Sequence, residues 1–298
     1  IYKNLHYHWG MANALTNLGI LHYSTEKWSQ AVEYLEHADQ LRREYGDDPE
    51  RPINLENLGE ILIDMGEFAQ ARSNLETSCE ISQRFGLNIA QTRAEFGLCR
   101  LAITEGYLQD ARQHLKNAGA LIDSFDERND RIVQYYHLQA MIENQDGNLQ
   151  QARASAEQAL MVAKQGDMPE KQVDALRIYG AVLVKMGEFE AAETHLSDSI
   201  QLARQINDRL CEAKTCYEMG ILFWNWSQSD PEKQDQNLLR ADRSLDTAIR
   251  IFEALGAKHD LLTAKNMRIL LPSVENYRKY TPQEVDIEDQ MNILRARL

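Results

Sequence analysis

The chain has 298 residues, 43% of them hydrophobic, and a formal net charge of -14. That hydrophobic share excludes a disordered chain, and the longest apolar runs (GILF, GAVLV) are far too short to cross a bilayer. The acidic balance argues against nucleic acid as a direct partner.

Length alone predicts about two globular domains, but a repeat array escapes that expectation because each unit packs only on its neighbours. A chain that starts at Ile1 rather than Met is expected to be a piece of a longer one. Its first ten residues, IYKNLHYHWG, read either as the tail of a preceding repeat or as an extension of the first helix. His6 and His8 do not share a helical face and are read as exposed rather than as a metal pair.

From Leu15 a period can be counted. The small residue of each first helix falls at Gly19, Gly59, Cys99, Ala140, Gly180 and Gly220, at spacings of 40, 40, 41, 40 and 40. The small residue of each second helix falls at Ala31, Ala71, Ala111, Ala152, Ala192 and Ala241, 12 after its partner in the first five units. A large residue follows four later at Leu35, Leu75, Leu115, Leu196 and Leu245. Only Ala156 departs, with Leu149 and Leu160 as candidates to compensate. In the clearest unit Leu55, Leu58 and Leu62 share one helical face, and Gly59 leaves room there for the returning helix. Met65-Gly66-Glu67-Phe68 predicts the turn, with Gly66 free to take a positive φ, and MGEF recurs at 186–189. Tyr45-Gly46, Phe85-Gly86, Ile206-Asn207 and Leu255-Gly256 predict helix ends. Each unit then holds two helices of about 16 residues, roughly 24 Å each.

Unit six differs. Gly220 to Ala241 is nine residues longer than its counterparts, which predicts a protruding polar loop inserted at about 227–237. Residues 257–271 predict the first helix of a partial seventh unit, stopped by Pro272, so the array spans residues 1–271. Residues 272–298, with Ile287, Met291, Leu294 and Leu298 at near-helical spacing, predict a capping segment with a short helix over the open end.

Residues 12 to about 271 resemble the tetratricopeptide repeat family, in its branch of about 40-residue units, on Leu15, Leu18, Gly19, Ala31, Leu35, Ala38 and their equivalents. Similar long units occur in bacterial regulatory ATPases of the maltose-activator type, peptide-pheromone receptors and scaffolds resembling kinesin light chain. The resemblance implies an all-α fold, a right-handed α-solenoid of antiparallel helix hairpins. Its concave wall, formed by the first helices, would bind a peptide, a helix or a small ligand.

On a helical wheel, three positions around the small residue of each first helix face that wall. They supply Arg93, Phe96, Arg100, His137, Met141, Arg177, Lys214 and Tyr217 as candidate contacts. Four basic residues (Arg93, Arg100, Arg177, Lys214) stand against three acidic ones (Glu56, Glu60, Asp174), which predicts an acidic or carboxylate-bearing segment as partner. The competing expectation is that these arginines bridge to acids on neighbouring helices. Trp224 and Trp226 are read either as partner anchors or as buried beside the inserted segment.

No nucleophile elbow, phosphate-binding glycine loop or H-E-x-x-H occurs, and the four cysteines are scattered. No catalysis, cofactor or metal is expected, and a reducing cytoplasmic setting is. The expected function is a protein-interaction module, the regulatory or scaffold segment of a larger bacterial signalling protein. The alternative is a sensor domain in which a small molecule or signalling peptide alters the shape of the superhelix.

Overall fold

A computed structural model describes residues 2–44, 49–122 and 129–271, with residues 2–6 described by backbone alone. Among the described residues are thirteen α-helices and no strand. Six hairpins follow one another: α1 (Tyr2–Ser24) with α2 (Trp28–Glu44), α3 (Arg51–Met65) with α4 (Phe68–Phe85), and α5 (Asn88–Glu105) with α6 (Leu108–Ile122). Then come α7 (Asn129–Asp146) with α8 (Leu149–Gln165), α9 (Pro169–Met186) with α10 (Phe189–Gln205), and α11 (Arg209–Ser229) with α12 (Gln234–Leu255). The last described helix is α13 (Lys258–Leu270). Each hairpin packs on the next in chain order, which is the solenoid that the spacing predicts. Residues 2–10 extend the first helix. The capping segment 272–298 and the Tyr45-Gly46 helix end lie outside the described residues.

The period has a steric cause. A Cβ at Gly19 would stand 2.6 Å from Leu35 Cγ, at Gly59 2.5 Å from Leu75 Cγ, and at Gly180 2.6 Å from Leu196 Cγ. Real Cβ atoms do not come that close, so in these three units the leucine of the second helix selects glycine on the first. Unit four reverses the sizes. Ala140 carries the extra methyl, Ala156 replaces the leucine, and Ile178 of the next unit completes that cluster. Leu149 and Leu160 are therefore not the compensating residues. At the turns, Gly66 takes φ 80 and Gly187 φ 77, and each helix stops there.

The nine extra residues of unit six do not form a loop. Helix α11 runs on to Ser229, a three-residue 3₁₀ turn covers Pro231–Lys233, and α12 begins at Gln234. The reason is burial. Trp226 stacks on Phe189 (ring centroids 5.7 Å) and on Phe223 (6.5 Å), and Leu238 is fully buried, so extending both helices hides more apolar surface than a polar loop would. Asp230 then caps the turn by accepting the Glu232 and Lys233 N–H groups.

The array also closes on itself, which the repeat pattern does not announce. Helix α13 packs on α3. The Phe68 and His259 rings lie 5.1 Å apart, Lys258 Nζ is 2.6 Å from Glu67, and Arg209 is 2.7 Å from Glu26. Leu58, Ile61 and Ile63 of α3 share one buried cluster with Cys216 of α11, Phe252 of α12 and Ala264 of α13. One superhelical turn therefore makes a ring rather than an open rod.

Candidate binding cavity

The odd-numbered helices turn their inner faces toward one central cavity of about 670 Å³. Their contributions slide along the helices in a regular way. Helices α1, α3 and α5 contribute from their C-terminal turns (Tyr23; Glu60, Ile63 and Asp64; Arg100 and Thr104). Helix α7 contributes from its middle (Val133 to Met141), and α9 and α11 from their N-terminal halves (Glu170 to Arg177; Arg209 to Glu218). The cavity axis thus runs oblique to the helices, as superhelical tilt requires.

Six of the candidate contacts line this space: Arg100, His137, Met141, Arg177, Lys214 and Tyr217. Two do not. Phe96 is fully buried in a cluster with Cys99, Ala102, Leu138 and Ile142, where it packs α5 on α7. Arg93 sits about two turns before Arg100 on α5, outside the cavity, with its Nε 2.5 Å from Glu56. A single register rule fails at both because the wall-facing turn shifts from unit to unit.

Charge inside the cavity is organised by Asp64. Its carboxylate, 1% exposed, accepts the Tyr23 hydroxyl at 2.6 Å and the Lys214 ammonium at 3.1 Å, and it also holds the Arg100 guanidinium. Arg100 reaches Glu60 as well, so four helices (α1, α3, α5 and α11) meet at one group of side chains. Burial by itself would raise the Asp64 carboxyl, but the Arg100 and Lys214 charges outweigh it and hold the group below the ordinary carboxylate range. Further round, Arg177 holds Asp174 at 2.8 Å, and the Cys211 thiol points at the same carboxylate from 3.5 Å. Burial opposes ionisation of Asp174, yet the Arg177 guanidinium, which also donates to it, keeps it ionised.

Three groups in this half lack a partner among the described residues. His137 Nδ1 and Arg177 Nε are enclosed without a hydrogen bond to any of them. Burial pushes the His137 imidazole down to about 4, so it is neutral at physiological pH. Glu218 forms no ion pair or hydrogen bond with another described residue, and burial raises its carboxyl. The thiols offer no nucleophile: burial pushes Cys99 and Cys216 up to about 12. Among the described residues, no group of three His, Cys, Asp or Glu side chains could hold a metal.

The premise of a slightly basic wall does not survive folding. Eight carboxylates line the cavity (Glu26, Glu60, Asp64, Glu170, Asp174, Asp208, Glu218, Asp260) against five Lys and Arg (Arg100, Lys171, Arg177, Arg209, Lys214). Each basic candidate is paired: Arg93 with Glu56, Arg100 with Glu60 and Asp64, Arg177 with Asp174, and Lys214 with Asp64. Arg93 and Arg100 therefore bridge to acids on a neighbouring helix, whereas Arg177 pairs with an acid on its own helix. The sequence reading missed Tyr23, Asp64, Glu218 and Asp260. Asp64 had a signal, a lone carboxylate at the end of the apolar run ILIDM. Asp260 had none, because only ring closure brings it to the wall.

Residues 10–84 match the model of the tetratricopeptide repeat family. No curated protein sequence is significantly similar to the chain. Among solved structures, it is similar to a Rap protein complexed with Competence and Sporulation Factor (TM-score 0.64, 15% identity, covering 86% of this chain and 73% of that one). It is also similar to a Rap conjugation gene regulator in complex with a Phr peptide (TM-score 0.62, 16% identity, 91% and 76%). A third is a signal transduction ATPase from Pyrococcus horikoshii with a tetratricopeptide repeat sensor (TM-score 0.57, 14% identity, 87% and 38%). At such identities the likeness speaks to fold, and the fold is a tetratricopeptide-type α-solenoid.

Proposed function

We propose that this tetratricopeptide-type ring is the ligand-binding, regulatory module of a signalling protein, and that it holds a short peptide or a small molecule of similar size inside its cavity. The cavity itself carries the reading. A volume of about 670 Å³ falls within the range of pockets that enclose small ligands. The enclosed and unpartnered His137 Nδ1 and Arg177 Nε are groups that a ligand's amides would satisfy. Fold analogy with a Rap regulator that holds a Phr peptide, and with an ATPase that carries a repeat sensor, supports the same class. Catalysis has no part in it. Among the described residues no helix is long and apolar enough to cross a membrane.

The test is thermal unfolding with pools of random pentapeptides, on the wild type and on Met141→Trp, which puts a bulkier ring into the cavity wall. A ligand at 100 times its Kd stabilises the folded state by about 2.7 kcal/mol. A shift in the wild type that the variant lacks is expected. Equal shifts in both, or no shift with any pool, would remove the cavity as the binding site.

A second contact has its own observation. Helix α1 exposes Tyr7, Leu18 and Leu21 on one helical face, an apolar surface suited to a protein neighbour at the first unit. Loss of a protein partner on Leu21→Glu, with peptide binding intact, would separate that surface from the cavity; retention of every partner would dismiss it.

A further inference from the structure

Most charged side chains of the cavity are satisfied within the chain. Asp64 holds Arg100 and Lys214, Asp174 holds Arg177 at 2.8 Å, and Glu26 holds Arg209 at 2.7 Å. Glu218 is the exception among the enclosed carboxylates. It faces the cavity from α11 and has no ion pair or hydrogen bond with another described residue. The two cations that act on it electrostatically are committed elsewhere. Arg177 is held by Asp174, and Lys185 donates to the Asn144 carbonyl at 2.6 Å. A half-buried carboxylate without a counter-charge among the described residues is destabilising.

We propose that Glu218 anchors a cationic group of the cavity's occupant, a primary ammonium or a guanidinium. The inference rests on the cavity reading above and adds the chemistry of what the cavity takes. Met141 and Tyr217, on the same wall, offer apolar surface to the stem of a lysine or arginine side chain. Arg177 Nε and His137 Nδ1 are left for the amides beside it. The excess of carboxylates over Lys and Arg around the cavity favours a cationic occupant and disfavours an acidic one.

The test uses two pools of N-acetylated, C-amidated pentapeptides that differ only at one fixed position, lysine or arginine in one pool and norleucine in the other. Both are titrated calorimetrically into the wild type, Glu218→Gln and Met141→Trp. The glutamine variant removes an unpaired charge and keeps the side-chain shape, so it folds. The basic pool is expected to bind the wild type at least about tenfold more tightly than the norleucine pool. Glu218→Gln should abolish that preference, so that the two pools bind the variant with equal affinity. Equal affinities for the two pools in the wild type, or a basic preference that survives Glu218→Gln, overturn the proposal and leave the cavity reading standing. Binding of neither pool, or binding insensitive to Met141→Trp, removes the cavity reading and this proposal with it.

Discussion

Lys214 and Asp64 are 150 residues apart in the chain and 3.1 Å apart in space. This ion pair joins α11 to α3 across the ring, and through Asp64 it reaches Tyr23 of α1 and Arg100 of α5. Ring closure and cavity electrostatics are therefore one feature of this molecule, not two.

Asp64→Asn leaves Arg100 and Lys214 facing a neutral amide, and it is expected to cost about 3–5 kcal/mol in chemical denaturation, as breaking a buried ion pair does. Lys214→Met should cost less, because Arg100 still neutralises Asp64. The double variant tests closure directly. Coupling of about 0.5–3 kcal/mol is expected for residues in contact, and strictly additive effects would mean that the ring is open in solution.

The Lys258–Glu67 pair, 191 residues apart and 2.6 Å between Nζ and Oε1, lies on the surface and contributes at most about 1 kcal/mol. Its use is as a ruler. A zero-length carbodiimide reagent should couple Lys258 to Glu67, and peptide mapping should recover that cross-link in the monomer. Its absence, with reaction elsewhere, would show that α13 does not rest on the second hairpin.

Gly180 tests the steric origin of the period. In the wild type, Gly180→Ala forces a methyl against Leu196 Cγ, 2.6 Å from the built position. Overpacking of about 1–3 kcal/mol should outweigh alanine's helix-propensity gain of about 1 kcal/mol. In a Leu196→Ala background the sign should reverse, because the pair then imitates Ala140 and Ala156 of unit four. At Gly187 (φ 77) nothing lies within 4 Å of a Cβ, so alanine there is expected to cost about 1–2 kcal/mol from backbone conformation alone, whatever stands at 196. A loss at Gly180 that ignores residue 196 would refute the packing account.

Stability should depend on pH in two opposite senses. Burial raises and Arg100 and Lys214 lower the Asp64 carboxyl, with a net fall below its ordinary 3.8, so its contribution is present above that value and is lost as pH falls through the folded one. Glu218 is raised by burial above its ordinary 4.5, so wild-type stability falls as pH climbs from 4.5 through its folded value. Glu218→Gln should match the wild type below pH 4.5 and become the more stable protein above it, with the gap levelling off once Glu218 is ionised in both states. Denaturation midpoints between pH 4 and 8 measure this; a gap that does not vary with pH contradicts it.

How much of this was legible in the sequence depends on distance along the chain. Gly59 against Leu75 is a contact within one hairpin, so a fixed spacing announces it, and the same holds for the Gly66 turn. Phe96 and Arg93 were misplaced because a wheel drawn on one helix has no knowledge of how the next unit tilts. The longer α11 and α12 were hidden for a related reason. Ser227 to Lys233 looks like a loop until Trp226 finds Phe189 on another hairpin. Six of the eight candidate contacts do reach the cavity, since a helix's inward face is largely set by its own apolar stripe.

The sequence by itself determined the hairpins, their period, their turns and the small-against-large pairing inside each, because those interactions span a few turns of chain. Tertiary structure alone decided that the array closes, that the cavity wall is net acidic, and that Glu218 has no ion pair or hydrogen bond among the described residues. A small tilt repeated over six units places groups 150 to 191 residues apart in contact, and no local spacing encodes a sum of rotations.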